Sequence, residues 1–171
     1  MRAGFEDDQY DLAKIIAAAL YLGMFINIII PAGLLLICYY LNTEGSIDNS
    51  VGDLANGLFY VLGGLSVLHA VGALYWRNKV MAQPMIRRRE TFEQDIRESL
   101  LARLKPIFLL ITSIAVYGVV YFLLTGRFNE GMFLAVLSFL VFQVVRPRYG
   151  SLRKLIAQQE KLVEQGQFRQ D

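Results

Sequence analysis

The chain has 171 residues, of which 55% are hydrophobic and only 19% are charged. An ordinary soluble domain has about 25% charged residues, so this composition excludes a typical soluble protein and indicates a membrane protein. The single cysteine, Cys38, excludes a disulfide framework or a cysteine metal site within one chain, and the net charge of +2 is informative only through its distribution.

The N-terminal residues, MRAGFEDDQYDLAK, precede the first long apolar stretch. A secretory signal begins with basic residues and has a short apolar region before its cleavage site, whereas this segment is acidic and the following stretch is much longer. We therefore expect a retained transmembrane helix over residues 15–41. Pro31 and Gly33 lie within it, and an internal proline removes a helical hydrogen bond, so we expect a kink or tilt there.

Three further apolar segments have about the 20 residues that a transmembrane helix needs. They cover residues 54–76, 107–124 and 128–145. The sequence thus predicts an all-α, polytopic membrane protein with four transmembrane helices in two hairpins, forming one membrane domain over residues 1–171.

Basic residues are distributed unevenly between the loops, and cytoplasmic loops carry the excess of lysine and arginine. The loop at 42–53 has three acidic residues and no basic one, whereas residues 77–106 have eight bases and the tail from residue 146 has six. We therefore expect both termini in the cytoplasm. The basic segments are expected to face anionic lipid headgroups rather than nucleic acid, through Arg87, Arg88, Arg89, Arg146 and Arg148.

Two amphipathic helices are expected on the cytoplasmic side. Apolar residues recur at helical spacing over residues 90–105, and Pro106 is expected to open the third span because proline suits a first helical turn. Over residues 151–168, apolar residues form a seam of barely two heptads. We expect this second helix to lie along the membrane surface or to fold back on the bundle, with a partner-binding seam as the alternative.

Few polar side chains fall inside the predicted spans, and such residues are candidates for function. They are Asn27, His69, Thr112, Ser113 and Ser138. At about 1.5 Å per residue, His69, Thr112 and Ser138 lie roughly 10–12 Å from the cytoplasmic boundary, which predicts a polar layer. The same count puts Asn27 at roughly 20 Å, near the midplane and out of reach of His69.

Small residues at spacings of three and four mark two helix-packing faces. In the second span these are Gly63, Ser66, Ala70 and Ala73, and in the first they are Ala19 and Gly23, followed by Asn27. His69 borders the first of these faces, so we expect its ring to point into the bundle. The main interpretation of the polar residues is interhelical hydrogen bonding, worth about 1 kcal/mol per bond, and the alternative is a functional His69.

The stretch ITSIAVYGVV, residues 111–120, resembles the carboxylate-bearing helix of the proteolipid rotor-ring subunits of rotary ATPases. Thr112 stands at the position of the ion-binding glutamate of that family, so the likeness implies helix packing without ion transport. Over most of its length the chain also resembles an uncharacterised family of bacterial four-helix membrane proteins, through FYVLGGLSVLHAVGAL, AVYGVVYFLLTG and the closing RPR. This resemblance implies a location in the bacterial inner membrane.

No phosphate-binding loop, HExxH, CxxC pair, GxSxG elbow or lipidation motif occurs in the sequence. We therefore expect a non-enzymatic protein without cofactor or metal, acting as an accessory, assembly or stabilising subunit of a larger membrane complex or as a homo-oligomer. Two alternatives stay open. A small oligomeric channel or transporter would need a water-lined path past His69, Thr112 and Ser138. A redox subunit would bind haem or quinone at His69, the only histidine of the chain.

Overall fold

The computed structural model describes residues 12–45, 47–48 and 50–169. Over this part of the chain the regular structure is helical, with no strand. The α-helices are α1 (Leu12–Met24), α2 (Ile30–Thr43), α3 (Ala55–Met81), α4 (Phe92–Thr125), α5 (Phe128–Val145) and α6 (Tyr149–Glu164). A π-helical turn, Phe25–Ile29, joins α1 to α2, and 3₁₀ turns at Gly52–Leu54 and Arg89–Thr91 precede α3 and α4.

Four helical segments of the described chain are long and apolar enough to cross a membrane. They are Ala13–Thr43, Gly52–Met81, Arg89–Thr125 and Phe128–Val145. The prediction of an all-α fold is therefore confirmed for the described residues, together with helices long and apolar enough to span a membrane.

Helix α4 lies at the centre of the bundle and packs against α1, α2, α3 and α5. Of its most apolar 18-residue window, 44% is buried, whereas only 11% of the corresponding window in Gly52–Met81 is buried. Helix α3 is therefore the least covered of the long helices, and most of its surface faces outward.

Helix α4 continues through Pro106, although the sequence predicted that a new helix would begin there. The buried stripe of the amphipathic part, which ends at Leu104, runs on into the apolar part at Ile107 and Phe108. Buried packing on both sides of the proline is thus continuous along one helix. The carbonyl that loses its hydrogen-bond donor belongs to Ala102, an exposed residue.

The described chain divides into two regions. The basic cap comprises the loop 82–88, residues 92–105 of α4, and α6, and the apolar bundle comprises α1 to α3, residues 106–125 of α4, and α5. Helix α6 folds back, because its seam residues Leu152, Leu155, Ile156 and Gln159 are all buried within the chain. These four positions are therefore occupied by intramolecular packing, whereas Leu162 and Val163 at the end of the seam are half-buried.

Candidate functional site

The polar residues of the apolar bundle meet around one turn of α4, at residues 111–113. On one side, the Thr112 hydroxyl lies 3.0 Å from both the Ile26 carbonyl oxygen and Asn27 Oδ1, and it donates to these two acceptors. Asn27 is 1% exposed, and its amide nitrogen donates to the Gly23 carbonyl at 3.2 Å. This group therefore joins the π-helical turn to α4.

Pro31 explains why the Ile26 carbonyl needs a donor from another helix. In a π-helical turn each carbonyl accepts from the N–H five residues later, as Phe25 accepts from Ile30. The corresponding donor for Ile26 would be the N–H of residue 31, which proline lacks. Threonine side chains of neighbouring helices satisfy carbonyls freed in this way within membranes, and Thr112 does so here.

The contact between Asn27 and Thr112 corrects the predicted depths, which separated them by roughly 10 Å. That count took Lys14 and Lys105 as the same boundary. In the structure, Lys14 instead lines a surface cavity with Gln94 and Glu98 of the basic cap. Thr112 is fourteen residues beyond Glu98 and Asn27 thirteen beyond Lys14, so both rise by roughly 20 Å from one level.

His69 lies on a second side of the same turn of α4, at the contact with α3. Its Nδ1 is 2.7 Å from Ser113 Oγ and 3.3 Å from the Tyr117 hydroxyl, and the Tyr117 ring packs at 5.4 Å between centroids. Ser113 Oγ also donates to the Leu110 carbonyl at 2.7 Å. The half-buried ring of His69 therefore links α3 to α4 through the hydroxyl groups of Ser113 and Tyr117.

Ser138 occupies a third side, on α5. It is fully buried, and its hydroxyl donates to the Ile111 carbonyl at 3.0 Å. The structure thus brings His69, Thr112, Ser113 and Ser138 to one level, but on different sides of α4 rather than around a common space. Each side chain makes a contact between helices, as interhelical hydrogen bonding requires.

The small residues predicted to form a packing face on α3 are covered unequally, and a Cβ added to Gly63 would meet nothing within 4 Å. Ser66 and Ala73 are buried, and Gly63 and Ala70 are half-buried. Ser66 donates to the Leu62 carbonyl of its own helix at 2.7 Å, so its hydroxyl is satisfied without a partner from α4.

One packing contact that the sequence did not indicate lies in the α4–α5 hairpin. A Cβ atom placed on Gly118 would lie 2.3 Å from the Gly131 carbonyl oxygen, and one on Gly131 would lie 2.6 Å from the Gly118 carbonyl oxygen. Only glycine allows the two backbones this approach. The only available signal was a single glycine in each of the two spans predicted at 107–124 and 128–145, and this is too weak to pair Gly118 with Gly131.

The hydrogen-bonded core of the basic cap is a second feature that the sequence did not indicate. Asp95 accepts from the backbone N–H groups of Arg87 and Arg88, and Ser99 donates to the Met85 carbonyl. From α6, Gln159 accepts from the Met85 N–H at 2.8 Å. These bonds fix the loop 82–88 between α4 and α6.

Arg103 completes the core of the cap. Its guanidinium donates to the carbonyls of Val80, Gln83 and Pro84 at 2.6, 3.1 and 2.7 Å. A cation at the C-terminus of a helix satisfies unpaired carbonyls and the helix dipole, so Arg103 caps α3. Arg103 is half-buried at this position. A guanidinium suits it because the group is weakly hydrated and carries several hydrogen-bond donors.

The predicted lipid-facing arginines lie at the surface of the cap. Arg87, Arg88, Arg89 and Arg148 are exposed, and Arg146 is half-buried. Arg148 donates to the Gln143 carbonyl at 3.2 Å, at the junction of α5 and α6. Their positions are compatible with headgroup contact.

Within the described ranges, no cluster of three or more His, Cys, Asp or Glu could hold a metal ion. The Tyr121 hydroxyl is buried without a hydrogen-bond partner in the described part of the chain, next to the Phe59 ring at 5.5 Å between centroids.

Comparison with protein-family models, with curated proteins and with solved structures gave no match.

Proposed function

We propose that the protein is a non-enzymatic, structural subunit of a larger membrane assembly, and that α3 presents the surface on which a partner helix packs. The supporting observation is the sparse coverage of α3, with 11% of its most apolar window buried against 44% for α4. The outward surface carries Gly57 and Gly64, where an added Cβ would meet nothing within 4 Å. Small residues at an uncovered helix surface let a second backbone approach closely.

The exposed apolar residues around these glycines form the surface that we call the α3 outer face. It comprises Gly57, Tyr60, Val61, Gly64, Leu68, Val71 and Tyr75, which recur every three or four residues. The polar groups inside the bundle favour the same role, since the hydroxyls of Thr112 and Ser138 are engaged with backbone carbonyls and hold helices together. In this proposal the proteolipid-like helix serves packing, as its Thr112 suggests.

We further propose a location in the bacterial inner membrane with both termini in the cytoplasm. The two basic segments, which the positive-inside rule assigns to one side, support this because they contact each other through Met85 and Gln159 and through the Arg169 N–H and the Ile86 carbonyl. A reporter that is active only outside the cytoplasm, fused after Asp171, should be inactive. Activity of that fusion would contradict the four-span orientation.

The test of the structural role is purification of the tagged protein from native membranes in mild detergent, with mass spectrometry and an absorbance scan of the same sample. Gly64→Leu should remove a stoichiometric partner, because the added side chain projects where the partner packs. Gly33→Leu is the matched control: it adds the same side chain at another exposed helix position where a Cβ meets nothing within 4 Å.

The other outcomes distinguish the alternatives. A partner that stays bound to the Gly64→Leu protein would refute the α3 outer face as the interface. A Soret band would establish the redox alternative at His69, and a colourless homo-oligomer that passes ions in liposomes would establish the channel alternative.

A further inference from the structure

An apolar groove with a basic rim opens at the junction of the apolar bundle and the basic cap. It has a volume of about 160 Å³ and lies between α3, α4, the end of α5, and α6. Its floor is formed by leucines, including Leu104, Leu152 and Leu155, and Arg77 and Lys154 stand in its lining. The groove is therefore apolar inside and cationic at its edge.

The cations of this rim have no acidic neighbour among the described residues that line the groove. The lining contains no aspartate or glutamate, and Arg77 is half-buried. Arg148 directly follows Pro147 of the lining, so a third basic residue stands next to the groove in the sequence. Basic side chains beside an apolar surface are complemented by an anion that brings its own apolar group.

We propose that this groove binds one anionic phospholipid, with its phosphate between Arg77 and Lys154 and part of an acyl chain on the leucine floor. A guanidinium and an ammonium both donate strong hydrogen bonds to phosphate oxygens, and basic pockets between transmembrane helices recognise anionic headgroups in this way. The groove lies where α3 passes from its apolar part to Arg77 and where α5 ends at Val145, the level of the headgroups in a four-span protein.

This inference rests on the membrane location but is independent of the proposed partner of α3. Loss of the partner from the Gly64→Leu protein would leave lipid binding unchanged, and loss of the lipid would leave the α3 outer face intact. The two proposals can therefore fail separately.

The experiment is titration of the detergent-solubilised protein with phosphatidylglycerol or phosphatidylcholine, with bound lipids counted by native mass spectrometry. The double variant Arg77→Gln/Lys154→Gln should bind phosphatidylglycerol roughly 30-fold more weakly, since each base contributes about a factor of five. The matched control Lys79→Gln/Lys161→Gln removes the same charge from the same two helices at exposed positions outside the groove, and it should bind normally. Equal weakening by both double variants would mean nonspecific surface attraction and would overturn the proposal.

A second variant tests the groove itself. Gln158→Trp keeps both cations but places a large ring on an exposed residue of the lining, and it should also exclude the phospholipid. Thermal unfolding of each variant in phosphatidylcholine identifies any that fail to fold. Binding that inorganic phosphate displaces, and that Gln158→Trp does not change, would identify a phosphate site without an acyl chain and would refute the proposal.

Discussion

The apolar bundle and the basic cap hold their helices together in different ways. In the bundle, single hydroxyl groups bridge pairs of helices, as Thr112 does to Ile26 and Ser138 to Ile111. In the cap, several buried polar groups converge on the loop 82–88, which Gln159 and Arg103 contact from two helices.

The difference follows from the surroundings of each region. Lipid tails are as apolar as the side chains of the bundle, so no hydrophobic effect drives its helices together. Close backbone approach and single hydrogen bonds therefore determine which helices associate. At the cap, water competes for every exposed polar group, so an irregular loop is held only where its backbone groups are satisfied inside the fold. We therefore expect steric changes to dominate in the bundle and lost hydrogen bonds to dominate in the cap.

The largest effect is expected from adding a side chain where the backbones of α4 and α5 are in contact. Gly118→Leu should lower the free energy of unfolding by about 3 kcal/mol, because its Cβ would meet the carbonyl of Gly131, which belongs to the backbone and cannot rotate away. The measurement is denaturation of the purified protein in mixed micelles. Gly33→Leu, at an open position, is the control, and equal losses for the two variants would contradict the tight α4–α5 contact.

The next effect tests the network in the cap. Gln159→Leu leaves the buried Met85 N–H without its acceptor and should cost about 2 kcal/mol. The loop then opens more often, so trypsin should cleave after Arg87 and Arg88 roughly 30-fold faster.

Gln94→Leu provides the control for the cap, since the Gln94 amide donates to Glu98 at the surface and should affect cleavage little. An unchanged rate of cleavage for Gln159→Leu would mean that the loop is held by apolar packing alone. The stability of the cap would then not depend on its buried hydrogen bonds.

A smaller effect, with a specific coupling, is expected at the π-helical turn. Thr112→Val should cost about 1 kcal/mol by removing the donor to Ile26. In a Pro31→Ala background the same substitution should cost less, because residue 31 then supplies a backbone N–H. A double-mutant cycle measures this coupling, and strict additivity would refute the role assigned to Thr112.

The smallest effect is expected at the link between α3 and α4. His69→Leu and Ser113→Ala should each cost about 0.6 kcal/mol, and the double variant should cost little more than either one because they share a single bond. Partner binding should be intact in both. Complete loss of a transport or redox activity in a normally folded His69→Leu protein would show that the histidine has more than a structural role.

The sequence alone predicted the helices of both regions but not the polar contacts that hold the cap together. Hydropathy is a local property, so the helices and the inward orientation of Ser66, Ala73, Gly23 and Asn27 could be read from spacing. The contact between Thr112 and Asn27 could not, because it depends on where each helix begins relative to its neighbour. The roles of Gln159 and Arg103 depend on contacts across 74 and 23 residues, for which a single sequence carries no local signal.

The most direct test of the proposed function is site-specific photo-crosslinking in native membranes. A photo-reactive phenylalanine analogue at Leu68, 66% exposed on the α3 outer face, is compared with one at Leu36 of α2, which is 69% exposed. The structural-subunit proposal predicts a protein crosslink of defined mass from position 68 and lipid adducts alone from position 36. Lipid adducts alone from both positions would contradict it.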